Sequence, residues 1–414
     1  MSNRVSNGAA GWRLLAGLWC ALALVGHAAA APVQTVTVST EAGLQNAIAN
    51  ANNAGGNVTI LIADGTYTLT QTLYVNAPNV TLTSQSGMRG NVIVQGDAMS
   101  ATATVQNLIR VAAGNFTISN VTLQKSGWHL LQIAGESNAD NAVVHNVVFR
   151  DAYQQMLKVS VDPANFAVTG DNGIIEDSLF EYTAGVGPEY YIGGIDIHAG
   201  KNWIVRRNTF RSIISPNTAV AEFAIHVWDT SANALVERNL IINCDRAIGF
   251  GLDTRGNTGG IIRNNMIYHD ANMGQFADVS IDLETSPGTQ VYNNTIFTNH
   301  AYPHSIEYRW SATNGVLIAN NLANRPVSAR DGATGTAGSN VENAVASWFV
   351  DTTAGDLHLA SAVAGVVDAG QPVTGLVDDF DGHHRPVGNG FDIGAHEWGS
   401  GGLQPSPPTN VRVQ

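Results

Sequence analysis

Cysteine is almost missing from this 414-residue chain: there are two, Cys20 and Cys244. Cys20 falls within an amino-terminal stretch that reads as a removable leader, so no intrachain disulfide is available and packing must stabilise the fold. Cys244 lies in the apolar stretch Ile241-Ile242-Asn243-Cys244 and reads as a buried filler, not a thiolate nucleophile. Charge is sparse as well, at 13% of residues, and the net charge is −13 with no long basic run. Nucleic acid and anionic membrane surfaces are therefore not expected partners. Aromatics are held to 7%. Long amphipathic helical patterns are scarce, which excludes a bundle and leaves strands as the main element. What the chain does have is glycine, 43 of them, together with frequent Asn and β-branched residues.

Met1 to Ala31 has the three parts of a signal peptide. Arg4 and Arg13 charge its start, Leu14 to Val25 is apolar, and Ala28-Ala29-Ala30 offers a small-residue cleavage site. The apolar run is too short to span a bilayer. Leu18 and Trp19 precede Cys20 where a lipid-attachment box wants small residues, so a lipoprotein is not expected. The expectation is a secreted, monomeric protein, extracellular or periplasmic, with its main domain over 32–398.

One short pattern returns along the middle of the chain: an Asn, any residue, then an apolar strand. It occurs at Asn120-Val-Thr-Leu123, Asn146-Val-Val-Phe149, Asn208-Thr-Phe210, Asn239-Leu-Ile-Ile242, Asn265-Met-Ile-Tyr268, Asn294-Thr-Ile-Phe297 and Asn321-Leu322, and Asp177-Ser-Leu-Phe180 fills the gap. The spacing varies between 26 and 31 residues. That variation is natural for coils whose loops differ in length. Asn suits a sharp turn between strands because it tolerates left-handed dihedrals, and stacked Asn side chains can bond one another. A second strand precedes each Asn, as in Trp203-Ile204-Val205 and Ala234-Leu235-Val236. Glu41 to Ala51 is the exception, with Leu44, Ala47 and Ile48 at helical spacing after Ser39-Thr40. It predicts a short helix capping the open amino-terminal end of a solenoid. From about Asn57 to Val373 there is room for on the order of eleven rungs, ~50 Å at ~4.8 Å each.

The helix cap, the Asn-punctuated coils and their spacing resemble the pectate-lyase-like right-handed parallel β-helix superfamily over roughly Val36 to Trp398. The resemblance implies an all-β, single-stranded right-handed parallel β-helix with a short amino-terminal capping helix. The ending Asp379-Phe-Asp381-Gly-His-His-Arg385-Pro386, followed by Phe391-Asp-Ile-Gly-Ala-His-Glu397, resembles a tail common in secreted bacterial β-helix proteins. It is expected to form the final rungs and cap, with a calcium loop at Asp379 and Asp381 as the alternative. Residues 399–414 read as a Gly/Ser/Pro-rich linker and tail.

Strand alternation points every second residue outward. Aligning Ile195-Asp-Ile-His198, Ile225-His-Val-Trp228, Ile248-Gly-Phe-Gly251, Ile281-Asp-Leu-Glu284 and Ile306-Glu-Tyr-Arg309 stacks two outward columns. The first is Asp196, His226, Gly249, Asp282, Glu307; the second is His198, Trp228, Gly251, Glu284, Arg309. Lys158 and Gln132 precede them. Polar residues face water in any β-helix, which is the plain explanation. A concentration of titratable types on rungs ~5 Å apart also pushes pKa values apart, as catalytic sites require. The paired glycines predict a flat open spot. Trp228, if exposed, offers a face for sugar stacking; otherwise it folds over a neighbouring rung. Tyr190 and Tyr191 in the Gly-rich loop Gly185 to Gly194, Arg255, and Tyr308 complete the substrate-contact candidates, and Tyr302-Pro-His304 is a candidate groove wall.

Within the resembled superfamily, lyases remove the proton α to a uronate carboxylate and need a base and a cation. The resemblance therefore implies an acidic polysaccharide substrate and β-elimination. His226, His198 or Lys158 is the expected base, and Arg309 or a calcium ion held by Asp282, Glu284 and Glu307 the carboxylate neutraliser. Asp196-Ile-His198, with Lys158 one rung earlier, is also similar to the Asp-Pro-His and upstream Lys of mannuronan C5-epimerases. Ile197 replaces the Pro, Gly193 stands where that family has a Tyr, with Tyr191 the candidate substitute, and a further Asp after the His is missing. A glycoside hydrolase using Asp282, Glu284 and Glu307, or a glycan-binding rod without catalysis, are the remaining readings.

Overall fold

Alternating apolar and small polar residues can bury one face of each strand only if the strands stack in parallel with inward residues in line. The computed structural model describes residues 33–400, Gln275 excepted. The leader Met1 to Ala31 and the tail from Gly401 onward lie outside the described residues. The described chain winds as a right-handed parallel β-helix whose strands form three parallel sheets of 12, 10 and 10 strands. Each coil contributes one strand to the first sheet, bends sharply into the second, and passes through a longer loop into the third. The coil through the site runs Ile204–Arg206, Thr209–Arg211 and Ile225–Trp228. Inward residues such as Ile195, Ile225, Ile248, Ile281 and Ile306 are fully buried and stack in register. Phe149, Phe180 and Phe210 add a face-to-face column with ring centroids 4.5 and 4.8 Å apart.

The amino-terminal end is closed by the helix Glu41–Asn53, which buries Leu44, Ala47, Ile48 and Ala51. Thr40 caps it by accepting the Gly43 N–H. No helix among the described residues is long and apolar enough to cross a membrane.

The bend between the first and second sheets divides two roles that the repeated Asn was expected to combine. The left-handed position is filled by Asn120, Asn146, Asp177, Arg207, Arg238, Asn264, Asn293 and Asn320, all with φ between 52 and 56°. One residue later, Asn208, Asn239, Asn265, Asn294 and Asn321 are buried and form a ladder. In each step the backbone N–H and side-chain N–H of one Asn donate to Oδ1 of the next, at 2.9–3.1 Å. The repeat as aligned by sequence therefore slips by one residue between Asp177 and Asn208.

The last strand of the first sheet is Gly335–Gly338, so the rungs stop well before Val373. The tail signature adds none. Instead the antiparallel pair Phe349–Asp351 and Asp356–Leu359, with Ile393 and Ala395, packs on the outward face of the second sheet against Met266, Tyr268 and Phe297. Arg385 is the fully buried centre of this segment. It donates to Glu397 at 2.6 Å and to the carbonyls of Gly394 and Asp392 at 2.7 and 3.2 Å, so a buried charge is both paired and saturated with acceptors. Asp379 accepts the N–H groups of Asp381, His383 and Glu397. The signature residues thus hold a strap along the outside of the coils.

Replacing Asn265 by Ala removes the acceptor for two N–H groups of Asn239 and the donor to Val236 O. Orphaning buried polar groups of this kind costs about 1–3 kcal/mol each, so the Asn265→Ala protein is expected to unfold at clearly lower urea concentration than wild type. Asn120→Gly, at a left-handed turn that glycine adopts freely, loses the part-buried bond from Asn146 Nδ2 and is expected to lower the urea midpoint by less than Asn265→Ala.

Candidate functional site

Sheet register decides which outward residues meet. In the third sheet Lys158 pairs with Asp196, Asp196 with His226, His226 with Gly249, Gly249 with Asp282 and Asp282 with Glu307. His198 pairs with Trp228, and Glu284 with Arg309. The side chains on these columns separate into two groups, because Gly249 leaves a gap that is filled from outside. A Cβ on Gly249 would lie 2.6 Å from the Phe223 ring, so Phe223 sits on the expected flat spot. The Arg246 guanidinium lies over that ring, 4.3 Å from its centroid. Gly251, at φ 79°, lies where a Cβ would collide with Glu284 O.

The first group surrounds Asp196, which is 4% exposed. Its Oδ2 receives Lys158 Nζ at 2.6 Å and lies 3.1 Å from His198 Nε2; its Oδ1 accepts Trp228 Nε1–H at 2.7 Å. Lys158 Nζ is also 2.8 Å from His198 Nε2. His198 Nδ1 is 3.0 Å from Asp229 Oδ2. Asp229 immediately follows the strand Ile225–Trp228, with φ 59°, and this left-handed turn brings its carboxylate back across the rung to His198. Asp229 is the carboxylate that His198 Nδ1 faces. The signal for it lies one coil away, where register puts Trp228 opposite His198.

Electrostatics fix the charge states. Burial opposes ionisation of Asp196, but His198, through its hydrogen bond and, when protonated, its charge, and the Lys158 ammonium outweigh it and hold the carboxyl well below the usual range. Burial likewise opposes the Lys158 ammonium, and Asp196 and Tyr191 overcome it and raise its pKa. Lys158 is therefore a charged ammonium at neutral pH, which removes it as a base. His226 is 1% exposed, and burial drives its pKa to about 3, so the imidazole is neutral. It lies between Phe223 and Trp228, with centroids 4.9 and 4.6 Å away. That packing excludes His226 as a substrate base. Glu222, 3.7 Å from His226 Nδ1, has its pKa raised by burial and by the Asp196 charge.

Trp228 is not an open sugar platform. One face stacks on His226 at an interplanar angle of 9°, and the Arg255 guanidinium lies 3.9 Å from its ring centroid. Tyr308 points into the core and is buried there, because it occupies an inward position of its strand. Tyr190 is half exposed, and Tyr191 lines an open cleft of about 340 Å³ with Lys158, Gln132, His129 and Trp128. Trp128, 47% exposed, is the accessible aromatic that the columns do not show. It belongs to the loop entering the third sheet.

The second group is separate: Asp282 lies three rungs beyond Lys158's partner Asp196, ~14 Å at ~4.8 Å per rung. Arg309 binds Glu284 at 3.2 Å and Asp331 at 2.8 Å, and so belongs to this group and not to the Lys158 cluster. Glu284 also accepts Asp253 N–H and Trp310 Nε1–H. Glu307 is held by Tyr302, His304 and Arg330. Tyr302 and His304 therefore fold onto the column and do not form a free wall. Asp282 Oδ1 has no partner, and burial, with Glu284 and Glu307 adding, raises its pKa well above the usual value. Asp282, Glu284 and Glu307 do not fit a calcium ion, since the two glutamates are already taken by guanidinium and other donors. Among the described residues, the groups with ligand atoms mutually within 4.8 Å are His145, Glu176, Asp177 and Asp379, Asp381, His383. Cys244 is buried and free, its thiol pushed up to about 12 by burial.

No family model matches the chain, and no curated protein matches it. Among solved structures, pectate lyase Pel9A superposes with a TM-score of 0.55 at 13% identity, covering 89% of this chain and 97% of that one. The A-module of mannuronan C-5 epimerase AlgE6 from Azotobacter vinelandii gives 0.39 at 14% identity, over 74% of this chain and 95% of that one. A pectin methylesterase in complex with a hexasaccharide gives 0.36 at 17%, over 60% and 82%. At these identities the likeness is one of fold, and the chain shares the parallel β-helix architecture of pectate lyase Pel9A.

Proposed function

We propose that this protein is a secreted enzyme acting on an acidic, uronate-containing polysaccharide, and that it removes the proton α to the uronate carboxylate to cleave the chain by β-elimination. The observation that carries this reading is the mutual bonding of Lys158, Asp196, His198 and Asp229 beside an open cleft. With Nδ1–H donated to Asp229, His198 presents the Nε2 lone pair as a base, the orienting logic of a carboxylate-held imidazole. In the free protein that lone pair accepts from the Lys158 ammonium. A substrate carboxylate competes for the ammonium, so binding exposes the base and neutralises the acid group whose α proton must leave. His198 takes the C5 proton, the C5–H electron pair becomes the C4–C5 double bond, and the C4–O bond breaks. The leaving oxygen needs a proton, and the Tyr191 hydroxyl is the donor type the cleft offers. Asp196 positions Lys158 and anchors Trp228.

A C5-epimerase is the second reading, favoured by the same Lys158–Asp196–His198 contacts. It shares the first step and differs in that a proton returns to C5 from the other face while the C4–O bond stays intact. Calcium enters neither scheme.

Incubation with a panel of acidic polysaccharides is expected to raise absorbance near the wavelength of an unsaturated uronate on at least one. His198→Ala should lower that rate by about 10²–10⁴-fold, and Asp229→Asn should lower kcat with little change in KM. Lys158→Met should raise KM and lower kcat together. Undiminished turnover in the His198→Ala protein would overturn the site.

The Lys158–Asp196 pair also has a pH signature. Asp196 has a lowered pKa, so its contribution is present above the unfolded carboxyl range and is lost as pH falls through the folded value. Lys158 has a raised pKa, so its contribution is present below the unfolded lysine value and is lost as pH rises through the folded one. The difference in Tm between wild type and the Lys158→Met/Asp196→Asn protein should therefore be flat from roughly pH 5 to 9 and change outside that window.

A further inference from the structure

The outward face of the third sheet is open on one side of the cluster and roofed on the other. Toward the amino-terminal end, Lys158 is followed by Gln132, Arg110 and Tyr74 in register. Tyr74 is 52% exposed and Trp128, beside this stretch, 47%. Arg110 keeps part of its guanidinium accessible while paired to Glu136 at 2.7 Å. Three rung spacings of ~4.8 Å give this floor a length of ~14 Å. It carries a cation, amides and exposed aromatic faces, the combination that suits anionic sugar rings. Toward the carboxyl-terminal end the column residues are covered as far as Glu307, and Arg309 is partly exposed. His226 lies under Phe223 and Trp228, Gly249 under Phe223, Glu284 under Asp253 and Trp310, and Glu307 under Tyr302 and His304. His226, Asp282, Glu284 and Glu307 are 1, 7, 5 and 1% exposed, although all point outward.

We propose that the cleft accepts the end of an acidic glycan chain, with the terminal sugar against Lys158 and the Arg246–Glu222 pair that overlies the buried Phe223 ring, and the rest running over Gln132, Trp128 and Arg110 toward Tyr74. The protein then acts from a chain end and not at internal positions. A groove continuous past Asp196 would let a polymer lie across the site; the Phe223 ring on Gly249 closes that path. This inference deepens the proposed function and rests on it for the identity of the sugar.

Binding tests it without relying on turnover. The His198→Ala protein is titrated with oligogalacturonates and oligomannuronates of two and six sugars. Each is used free, carrying a bulky fluorophore on one end or the other, or on both. For the preferred sugar, a label at one end is expected to leave affinity unchanged, while a label at the other, and labels at both, weaken it by at least about tenfold. Trp128→Ala should weaken the hexamer by about tenfold and spare the dimer. Equal affinity for free and doubly labelled hexamers, or no binding of either series, would overturn the inference. Failure of the enzymatic reading looks different: end-dependent binding persists, and the wild-type protein leaves the bound chains unaltered.

Discussion

Parallel stacking in fixed register is the constraint on which the rest depends. A slip of one residue would turn every inward Ile to solvent and every outward charge into the core. Two devices hold the register in this chain. The inward aliphatic columns and the Phe149–Phe180–Phe210 stack make a slip costly along each sheet. The buried Asn ladder ties the bends, each Asn giving the next its backbone and side-chain N–H. Because both devices act rung by rung, Lys158, Asp196 and Trp228, which are far apart in sequence, arrive at hydrogen-bonding distance without any loop having to fold precariously around them.

That same stacking explains the site's charge pattern. Rungs bring like and unlike charges equally close, so each outward carboxylate must find a cation or take up a proton. Asp196 finds Lys158 and His198 and stays ionised. Glu284 and Glu307 find Arg309 and Arg330. Asp282 finds no partner for Oδ1, and its pKa rises. The outward face of one sheet thus carries two charged clusters, one around Asp196 and one around Glu284 and Glu307, with Gly249 and the Phe223 ring between them.

Period-two alternation made the columns legible from sequence, and with them the Asp196-x-His198 pair and Lys158, since register there follows from aligned Ile positions alone. The Asn repeat identified the coil but merged the left-handed turn residue with the buried ladder residue, because Asn serves both. What stayed hidden belongs to loops that fold back. Asp229 reaches His198 through a turn after its strand, Phe223 comes down on Gly249, and Trp128 enters from the preceding bend. Alternation says that Trp228, His226 and Glu307 point outward and says nothing about what then covers them. The tail signature was legible as a motif, yet its role is set by Arg385 and Glu397 closing a strap outside the coils.

The central claim is that His198, held by Asp229 and opposed by Lys158, takes a proton from the α carbon of a uronate. It is tested most directly by incubating acidic polysaccharides with the protein in deuterium oxide and following C5 by nuclear magnetic resonance. The account predicts either an olefinic C4 signal or deuterium at C5 with the wild-type protein, and neither with His198→Ala. An unchanged C5 proton on every acidic substrate, or equal conversion by the His198→Ala protein, would contradict it.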